Sequence, residues 1–298
     1  MSIAAETPVL PRALAAIEAV CAQTGLDPAG ARLIRDYANL VYELPGERVV
    51  LRLAEAGTPG KYERLATSVR VTRWLAEQDF PAVRPLEARQ PIAAAGFFVT
   101  LWHHEEHVGP LPEPVTLGAL LRRLHALPQA PFDLPTYDPF GSVRRAIDAC
   151  RVLTLEDRAW LVERCSALAE SYYERLEFGL PYGLIHGDAH RGNLLRTPGR
   201  LLLCDWDSVS AGPREIDLAP TLAGVRFGLT ERQRDAFSEA YGYDMLSWPG
   251  YPVLRAMREL QTLTAVLRNA HRDPAARAEL GLRLASLRAG DDRPWNAF

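Results

Sequence analysis

The chain has 298 residues, of which 48% are hydrophobic and 24% are charged, the balance expected of a soluble globular protein. This length exceeds what one ordinary hydrophobic core holds, so it predicts two lobes. The formal net charge of -3 gives no field strong enough to gather nucleic acid or an anionic lipid surface, so neither is an expected partner.

The apolar runs and the cysteines indicate where in the cell the protein is located. The longest uncharged apolar stretch, residues 92–102, is far shorter than the ~20 residues that span a bilayer. Residues 1–13 lack the basic-then-apolar pattern of a signal peptide. The cysteines are scattered without a close pair and are expected to be small buried residues, not disulfides or zinc ligands: Cys21, Cys150, Cys165 and Cys204. We therefore expect a cytoplasmic protein without membrane contact, present as a monomer or homodimer.

The first hundred residues alternate between helical and strand-like periodicity. Apolar residues recur at helical spacing in residues 11–22 and 62–78. Strand-like runs follow the order 33–34, 40–42, 49–53, 83, 92 and 97–102, with a Pro-Gly turn between the second and the third. This pattern predicts a small antiparallel sheet with one helix across it.

The segment that follows, residues 103–107, reads H-H-E-E-H and matches the H-x-x-E-H pattern of inverted zinc metalloproteases. On a helix, His103 and His107 would share one face, as zinc binding requires. Trp102 ends a strand-like run, however, and a glycine and three prolines follow closely, so a helix has no room to form. The sequence favours a connection between two lobes over a metal site.

The second half of the chain has mainly helical periodicity. Its predicted helices are residues 116–127, 144–151, 155–178 and 231–287, the last interrupted by two prolines. His125 lies beside the apolar face of the first of these helices and has no nearby partner in sequence. We therefore predict a histidine at the edge of the core, not a ligand.

Polar residues cluster around three apolar runs in residues 184–205. Residues 186–193 read H-G-D-A-H-R-G-N between the first two runs, and a Pro-Gly turn and a third run lead to Asp205. Asp188, Asn193 and Asp205 thus stand where predicted strands stop, which is where functional sites tend to lie. An isolated His-Gly-Asp could simply cap a hairpin. The complete set in register, with strands on both sides, indicates a functional loop.

This arrangement, H-G-D-x-H-x-x-N followed by a D-W step, resembles the aminoglycoside phosphotransferase family of the protein-kinase-like superfamily. The resemblance covers residues 33–219 and is most specific over residues 184–217. It implies an α+β, bilobal protein-kinase-like fold. The N-lobe, residues 1–102, would hold a small antiparallel sheet and a helix, residues 103–114 would form the hinge, and the larger C-lobe, residues 115–298, would be mostly helical.

The resemblance also implies roles within the functional loop. Asp188 would orient the acceptor hydroxyl as the catalytic base, and Asn193 and Asp205 would hold Mg²⁺ against the phosphates of ATP or GTP. His190 stands where protein kinases reach the γ-phosphate with a lysine, so it would stabilise the transferring group. Asp207 would either support the metal shell or be an exposed turn acid.

In the N-lobe, the match is weaker but still assigns nucleotide contacts. Trp102 would sit near the gatekeeper position, and the backbone of His103 and Glu105 would meet the base edge. Arg52 stands where kinases carry a phosphate-gripping lysine, and it is either that cation or an ordinary surface arginine. The helix acid expected to orient this cation is replaced by Ser68. We therefore expect Arg52 to be poorly oriented until a triphosphate binds.

Two features near the C-terminus have alternative explanations. Asp217 resembles the buried acid that accepts backbone hydrogen bonds from the catalytic loop of this family, but a first-turn acid could equally complement the helix dipole. The tail is also rich in arginine, and its arginines either favour a neutral or anionic acceptor or are solvated on outer helix faces. They are Arg258, Arg268, Arg272, Arg277, Arg283 and Arg288.

Taken together, the resemblance implies a Mg²⁺-dependent O-phosphotransferase that moves the γ-phosphate of ATP or GTP to a hydroxyl of a small molecule. An antibiotic is the expected acceptor, as in resistance or self-resistance. The alternatives are a choline-, homoserine- or sugar-kinase-like enzyme, and a pseudokinase that binds nucleotide without transfer. The missing helix acid favours the pseudokinase, and the intact Asp188, Asn193 and Asp205 favour the enzyme.

Overall fold

The computed structural model describes residues 9–36 and 39–297, which cluster into two compact units. The described residues of the first unit fall within Met1–Leu111, Ala130–Asp133 and Gly192–Val209. Those of the second unit fall within Pro112–Gln129, Leu134–Arg191 and Ser210–Phe298. Among the described residues, no helix combines the length and the apolar character needed to cross a membrane.

The first unit contains the predicted antiparallel sheet and two helices. In chain order its elements are α1 Val9–Thr24, β1 Arg32–Asp36, β2 Leu40–Leu44, β3 Val49–Glu55, α2 Lys61–Glu77, β4 Ile92–Ala94 and β5 Phe97–His103. The strand order is β1-β2-β3-β5-β4, with antiparallel neighbours throughout. The helical and strand-like periodicities therefore predicted these elements correctly, apart from residue 83, which lies outside the named strands.

Strand alternation decides which side chains of this sheet enter the core. Leu51 and Leu53 of β3 are buried against Ile17 of α1, and burying such side chains stabilises the fold by about 1.5–3 kcal/mol each. Successive side chains of a strand point to opposite faces. Arg52, between these two leucines, therefore projects from the face opposite this core.

The remaining α-helices and β-strands lie between Pro114 and Ala289. They are α3 Pro114–His125, α4 Gly141–Ala149, α5 Leu155–Glu170, β6 Tyr182–Ile185, β7 Leu194–Thr197, β8 Arg200–Leu203, β9 Ser210–Pro213, α6 Glu215–Leu222, α7 Glu231–Tyr241, α8 Tyr251–Asn269 and α9 Pro274–Ala289. Helix α5 ends before residue 178, where we predicted its end, because a single π-helical turn and a Gly- and Pro-containing segment follow it. The C-terminal half is mainly helical, as predicted.

The hairpin β7–β8 belongs to the first unit although it lies far along the chain. The amide of Leu203 donates to the carbonyl of Pro81 at 2.8 Å, and the amide of Val83 donates to the carbonyl of Leu203 at 3.1 Å. The predicted division kept residues 115–298 in one lobe, whereas residues 192–209 cluster with the first unit. Apolar runs do not reveal which distant segment a strand will join.

Candidate active site

The loop that carries Asp188 is fixed by a buried carboxylate. Strand β6 pairs with β9 and ends at Ile185, and the chain then turns at Gly187, whose φ of +81° favours glycine. Asp217, in the first turn of α6, accepts hydrogen bonds from the amides of His186 and Gly187, both at 2.8 Å. Of the two explanations for Asp217, the structure supports the buried acid that accepts backbone hydrogen bonds from the loop of Asp188.

His125 completes the surroundings of this carboxylate. Its Nε2 lies 3.0 Å from Oδ2 of Asp217, and its Nδ1 lies 2.8 Å from the hydroxyl of Tyr241. A carboxylate only accepts hydrogen bonds, so Nε2 carries a proton and, in the neutral ring, Nδ1 accepts from Tyr241. The prediction of a histidine in the core is confirmed. In addition, His125 of α3 holds Asp217, and Asp217 in turn holds the loop.

Removing this acid should destabilise the protein as well as displace the loop. In Asp217→Ala, the amides of His186 and Gly187 and the ring of His125 lose their common acceptor. At about 1–3 kcal/mol for each buried donor left unpaired, we expect the free energy of unfolding to fall by about 3 kcal/mol or more. Urea unfolding measures this loss, and Asp235→Asn on an exposed position of α7 is the control. An unchanged urea midpoint would contradict the structural role.

The carboxylate of Asp188 pairs with an arginine from α8. Nη1 of Arg258 lies 2.9 Å from Oδ1 of Asp188, and Nε2 of His190 lies 3.9 Å from Oδ2. Burial alone would raise the pKa of Asp188, but the charge of Arg258, followed by those of His190 and His186, outweighs burial and holds the pKa below its ordinary value. Asp188 is therefore ionised at neutral pH.

The hairpin β7–β8 brings together the two predicted metal ligands. Asn193 directly precedes β7 and is buried, and the amide of Cys204, directly after β8, donates to the carbonyl of Asn193 at 2.9 Å. Asp205 follows with a φ of +65°, an uncommon backbone conformation for a residue with a side chain. Such local strain clusters at functional sites. One carboxylate and one amide oxygen suit Mg²⁺, which takes few protein ligands beside phosphate oxygens.

Arg52 is firmly held, contrary to our expectation. Its Nη2 lies 2.8 Å from Oδ1 of Asp205, and its Nη1 lies 3.0 Å from Oδ1 of Asp207. Burial would lower the pKa of Arg52, but the charges of Asp207 and Asp205 outweigh burial and raise it. The prediction of a poorly oriented Arg52 was wrong because the acids that hold it come from the segment after β8, not from the helix position of Ser68.

Asp207 also contacts a cation that the sequence analysis did not select. Nζ of Lys61, the first residue of α2, lies 3.6 Å from Oδ2 of Asp207 and 3.2 Å from Oδ1 of Asn39. The sequence held one signal of this role. A positive charge in the first turn opposes the helix dipole, so a lysine there calls for an explanation.

The residues predicted to form the hinge make contacts of their own within the first unit. Trp102 is buried, and its ring nitrogen donates to the hydroxyl of Thr100 at 2.9 Å. The amide of His103 donates to the carbonyl of Arg84 at 2.9 Å. The carbonyl of His103 is therefore the backbone group that would contact the edge of the nucleotide base. The side chain of Glu105 accepts from Arg200 at 2.7 Å. The predicted contact between the backbone of His103 and the base would thus involve the carbonyl oxygen and not the amide.

The alternative of a zinc site at residues 103–107 is wrong. Strand β5 ends at His103, and residues 104–108 are irregular, so His103 and His107 do not share a helix face. Within residues 9–36 and 39–297, no group of three or more His, Cys, Asp or Glu side chains is placed to hold a metal ion. The closely spaced glycine and prolines prevented a helix, as the sequence indicated.

The structure therefore groups the candidate residues by unit. In the second unit, Asp188 lies beside His190 and Arg258. The first unit holds the candidate nucleotide and metal residues, which are Arg52, Lys61, Trp102, His103, Glu105, Asn193, Asp205 and Asp207. Sequence reasoning missed Lys61 entirely and recognised Arg258 only as one of several tail arginines.

Comparison with known proteins identifies both a family and related folds. The model of the phosphotransferase enzyme family matches residues 30–260 of the chain. No curated protein matches it in sequence. Among solved structures, an amicoumacin kinase in complex with AMP-PNP, Ca²⁺ and Ami has a TM-score of 0.76 at 14% identity, covering 97% of this chain and 98% of that one.

Two further solved structures are similar. An aminoglycoside phosphotransferase from Streptomyces rimosus has a TM-score of 0.64 at 19% identity and covers 85% of this chain and 99% of that one. A microcompartment-associated aminopropanol kinase has a TM-score of 0.65 at 19% identity and covers 87% of this chain and 90% of that one. At these identities the likeness shows the fold, and the predicted α+β, protein-kinase-like fold is confirmed.

Proposed function

Because the chain belongs to the phosphotransferase enzyme family, we propose that it transfers the γ-phosphoryl group of ATP or GTP to a hydroxyl of a small molecule, with Mg²⁺ as cofactor. The observation that carries this proposal is the placement of Asp188. Its loop is anchored through two amide hydrogen bonds to Asp217, and its carboxylate is kept ionised beside Arg258. A fixed, ionised carboxylate is what the orientation of an attacking hydroxyl requires.

On the donor side, we assign the phosphates and the metal to the first unit. Asn193 and Asp205 would hold Mg²⁺, which when bound would neutralise charge on the phosphates. Arg52 would contact the phosphates as a fixed cation. The base would lie near Trp102, with the carbonyl of His103 and the backbone of Glu105 at its edge.

On the acceptor side, the reaction needs a hydroxyl held against the γ-phosphorus. Its oxygen would form the new bond to phosphorus while the bond from phosphorus to the bridging oxygen breaks and the nucleoside diphosphate leaves. Asp188 would orient the hydroxyl and take its proton, and His190 would donate to the transferring group when protonated. The low pKa of Asp188 makes orientation the larger part of its role, since a weak base takes the proton late.

We propose an antibiotic as the acceptor, in line with the amicoumacin kinase and the aminoglycoside phosphotransferase among the similar structures. A metabolite kinase is the second candidate, and the similar aminopropanol kinase supports it. The contact between Arg258 and Asp188 favours a neutral or anionic group beside the reacting hydroxyl over a polycation, because a second positive charge there would be repelled. The ion pairs of Arg52 with Asp205 and Asp207 supply the acids that the helix lacks, and this supports the enzyme over the pseudokinase.

The experiment that tests this function is a phosphate-transfer screen over antibiotics and hydroxyl-bearing metabolites. Each acceptor is incubated with ATP or with GTP, in the presence of Mg²⁺ or of EDTA. Mass spectrometry then looks for a phosphorylated acceptor. Transfer that needs both the metal and Asp188 supports the proposal. Nucleotide binding without transfer to any acceptor in the screen would favour the pseudokinase.

Arg258 gives a prediction about pH. The folded pKa of Asp188 is held below its ordinary value, so the ionised form is present above that pKa and is lost as the pH falls through it. In Arg258→Gln the pKa of Asp188 rises, and the acidic limb of the profile of kcat against pH should move to higher pH. The control is Arg268→Gln, also on α8 but exposed.

The same variant pair tests the charge preference. Arg258→Gln should improve kcat/KM for cationic acceptors relative to anionic ones, and Arg268→Gln should not. An unshifted acidic limb together with an unchanged preference would show that Arg258 acts on neither the base nor the acceptor.

A further inference from the structure

The first residue of α2 is a lysine whose side chain is largely enclosed. Lys61 keeps only 18% of its side chain exposed, although lysines are usually solvated. Burial acts to lower its pKa, and the positive end of the helix dipole repels it. Burial and the helix dipole therefore both disfavour the charged form of Lys61, and the negative charge of Asp207, 3.6 Å away, stabilises it. The stability of the fold therefore does not explain a cation at this position.

Asp207 connects this lysine to the cation of β3. Its Oδ1 accepts from Arg52 at 3.0 Å, and its Oδ2 faces Lys61 at 3.6 Å, so one carboxylate holds two positive side chains on the same side of the sheet. The other amino group of Arg52 contacts Asp205. When Asp205 is engaged by a metal, Asp207 is the one carboxylate of the described residues that contacts both Arg52 and Lys61. Two cations against one anion leave a surplus positive charge for a ligand.

The location of Lys61 indicates which ligand that charge would meet. Its ammonium also contacts Asn39, at the end of the connection between β1 and β2. Under the proposed function, Arg52, which shares Asp207 with Lys61, contacts the phosphates of the nucleotide. The helix acid that kinases use is absent, since the corresponding Ser68 is fully buried and uncharged.

We propose that Lys61 and Arg52 form a two-cation clamp for the terminal phosphates of the nucleotide, and that Asp207 orients both cations in place of the missing helix acid. This inference rests on the proposed phosphotransferase function. It makes Lys61 a ligand-contacting residue and Asp207 a positioning residue. A planar guanidinium and a point-charge ammonium complement each other, because the first binds two oxygens in a fixed geometry and the second follows the phosphate as it moves.

The test measures the affinity of the protein for AMP-PNP or GMP-PNP, whichever the wild type binds, beside the matching diphosphate and nucleoside. Calorimetric titrations are run with Mg²⁺ and with EDTA. In Lys61→Met we expect affinity for the triphosphate analogue to fall about 10- to 100-fold, a smaller fall for the diphosphate and none for the nucleoside. Lys61→Arg should restore most of the affinity. The matched control is Arg70→Met, which removes a positive charge from an exposed position of the same helix.

Asp207→Asn separates orientation from simple charge. Removing a negative charge near a triphosphate should tighten binding if charge alone matters. If Asp207 orients the two cations, binding should instead weaken, both with Mg²⁺ and with EDTA. A weakening seen only with Mg²⁺ would make Asp207 a metal ligand and overturn its assignment as a positioning residue.

Failure of the inference and failure of the function give different results. If the wild type binds the triphosphate analogue and Lys61→Met binds it equally well, the clamp is wrong and the proposed function stands. If the wild type binds neither analogue, the proposed function is wrong, and the clamp is overturned with it. Thermal unfolding of each variant confirms that it is folded. Should Lys61→Met be unfolded, Lys61→Gln keeps a polar side chain for the same comparison.

Discussion

Turnover of Asp188→Asn is expected to be lower than that of the wild type by about 10²-fold or more, while nucleotide affinity stays the same. An asparagine has nearly the shape of an aspartate, so the anchored loop should keep its course. It cannot accept the hydroxyl proton, and it can turn its amino group toward the acceptor. The measurement is a steady-state assay with the acceptor found in the screen, together with a titration of the nucleotide.

The contact with Arg258 calls for a specific control in this experiment. Asp188→Asn removes the negative partner of Arg258 at 2.9 Å, so part of any effect could come from a displaced arginine. The double variant Asp188→Asn with Arg258→Gln removes both charges. If Asp188 acts on the acceptor hydroxyl, turnover should stay low in the double variant. Recovery of turnover in the double variant, or wild-type turnover in the single one, would remove Asp188 from the role of base.

Asp205→Ala is expected to abolish the part of nucleotide affinity that depends on Mg²⁺. The predicted metal site has only one carboxylate and one amide from the protein, so losing the carboxylate removes the only charged ligand. Arg52 also contacts Asp207, at 3.0 Å, and this variant leaves that partner in place. Affinity measured in EDTA should therefore be retained. The decisive quantity is the ratio of the two affinities, with Mg²⁺ and with EDTA, determined by calorimetry.

Asp207→Ala provides the comparison, because it lies two residues away and carries the same charge. It should weaken binding in both conditions and leave the ratio nearly unchanged. If the ratio collapses in Asp207→Ala and survives in Asp205→Ala, then Asp207 is the metal ligand and the register of the segment after β8 was assigned two residues too early.

The sequence predicted those parts of the site that depend on neighbouring residues. The strands and turns on either side of Asp188 and Asn193 have local periodicity, and the hairpin places Asn193 next to Cys204 by pairing alone. Asp217 and His125 were also recognisable, the first by its place in a helix after a glycine turn and the second by its apolar surroundings. Local chemistry was sufficient for His125, whereas it left two explanations open for Asp217.

The contacts that were missed join segments with no local relation. Arg52 meets Asp207 across 155 positions of sequence, and Arg258 meets Asp188 from a helix that carries no motif. An alignment looks for the missing acid at the same helix position, where it finds Ser68. In space, the acid comes from a different segment. No pattern of charges along a helix or strand could reveal that the acid comes from the segment after β8 and not from α2.

The source of the acids that hold Arg52 has a consequence for control of the enzyme. In protein kinases the acid belongs to a mobile helix. Regulatory signals inactivate the enzyme by moving that helix outward, which breaks the ion pair between the acid and the phosphate-binding cation. Here the acids belong to the segment after β8, so an outward shift of α2 would withdraw Lys61 and leave Arg52 in its ion pairs. Such a shift would lower the activity without abolishing it.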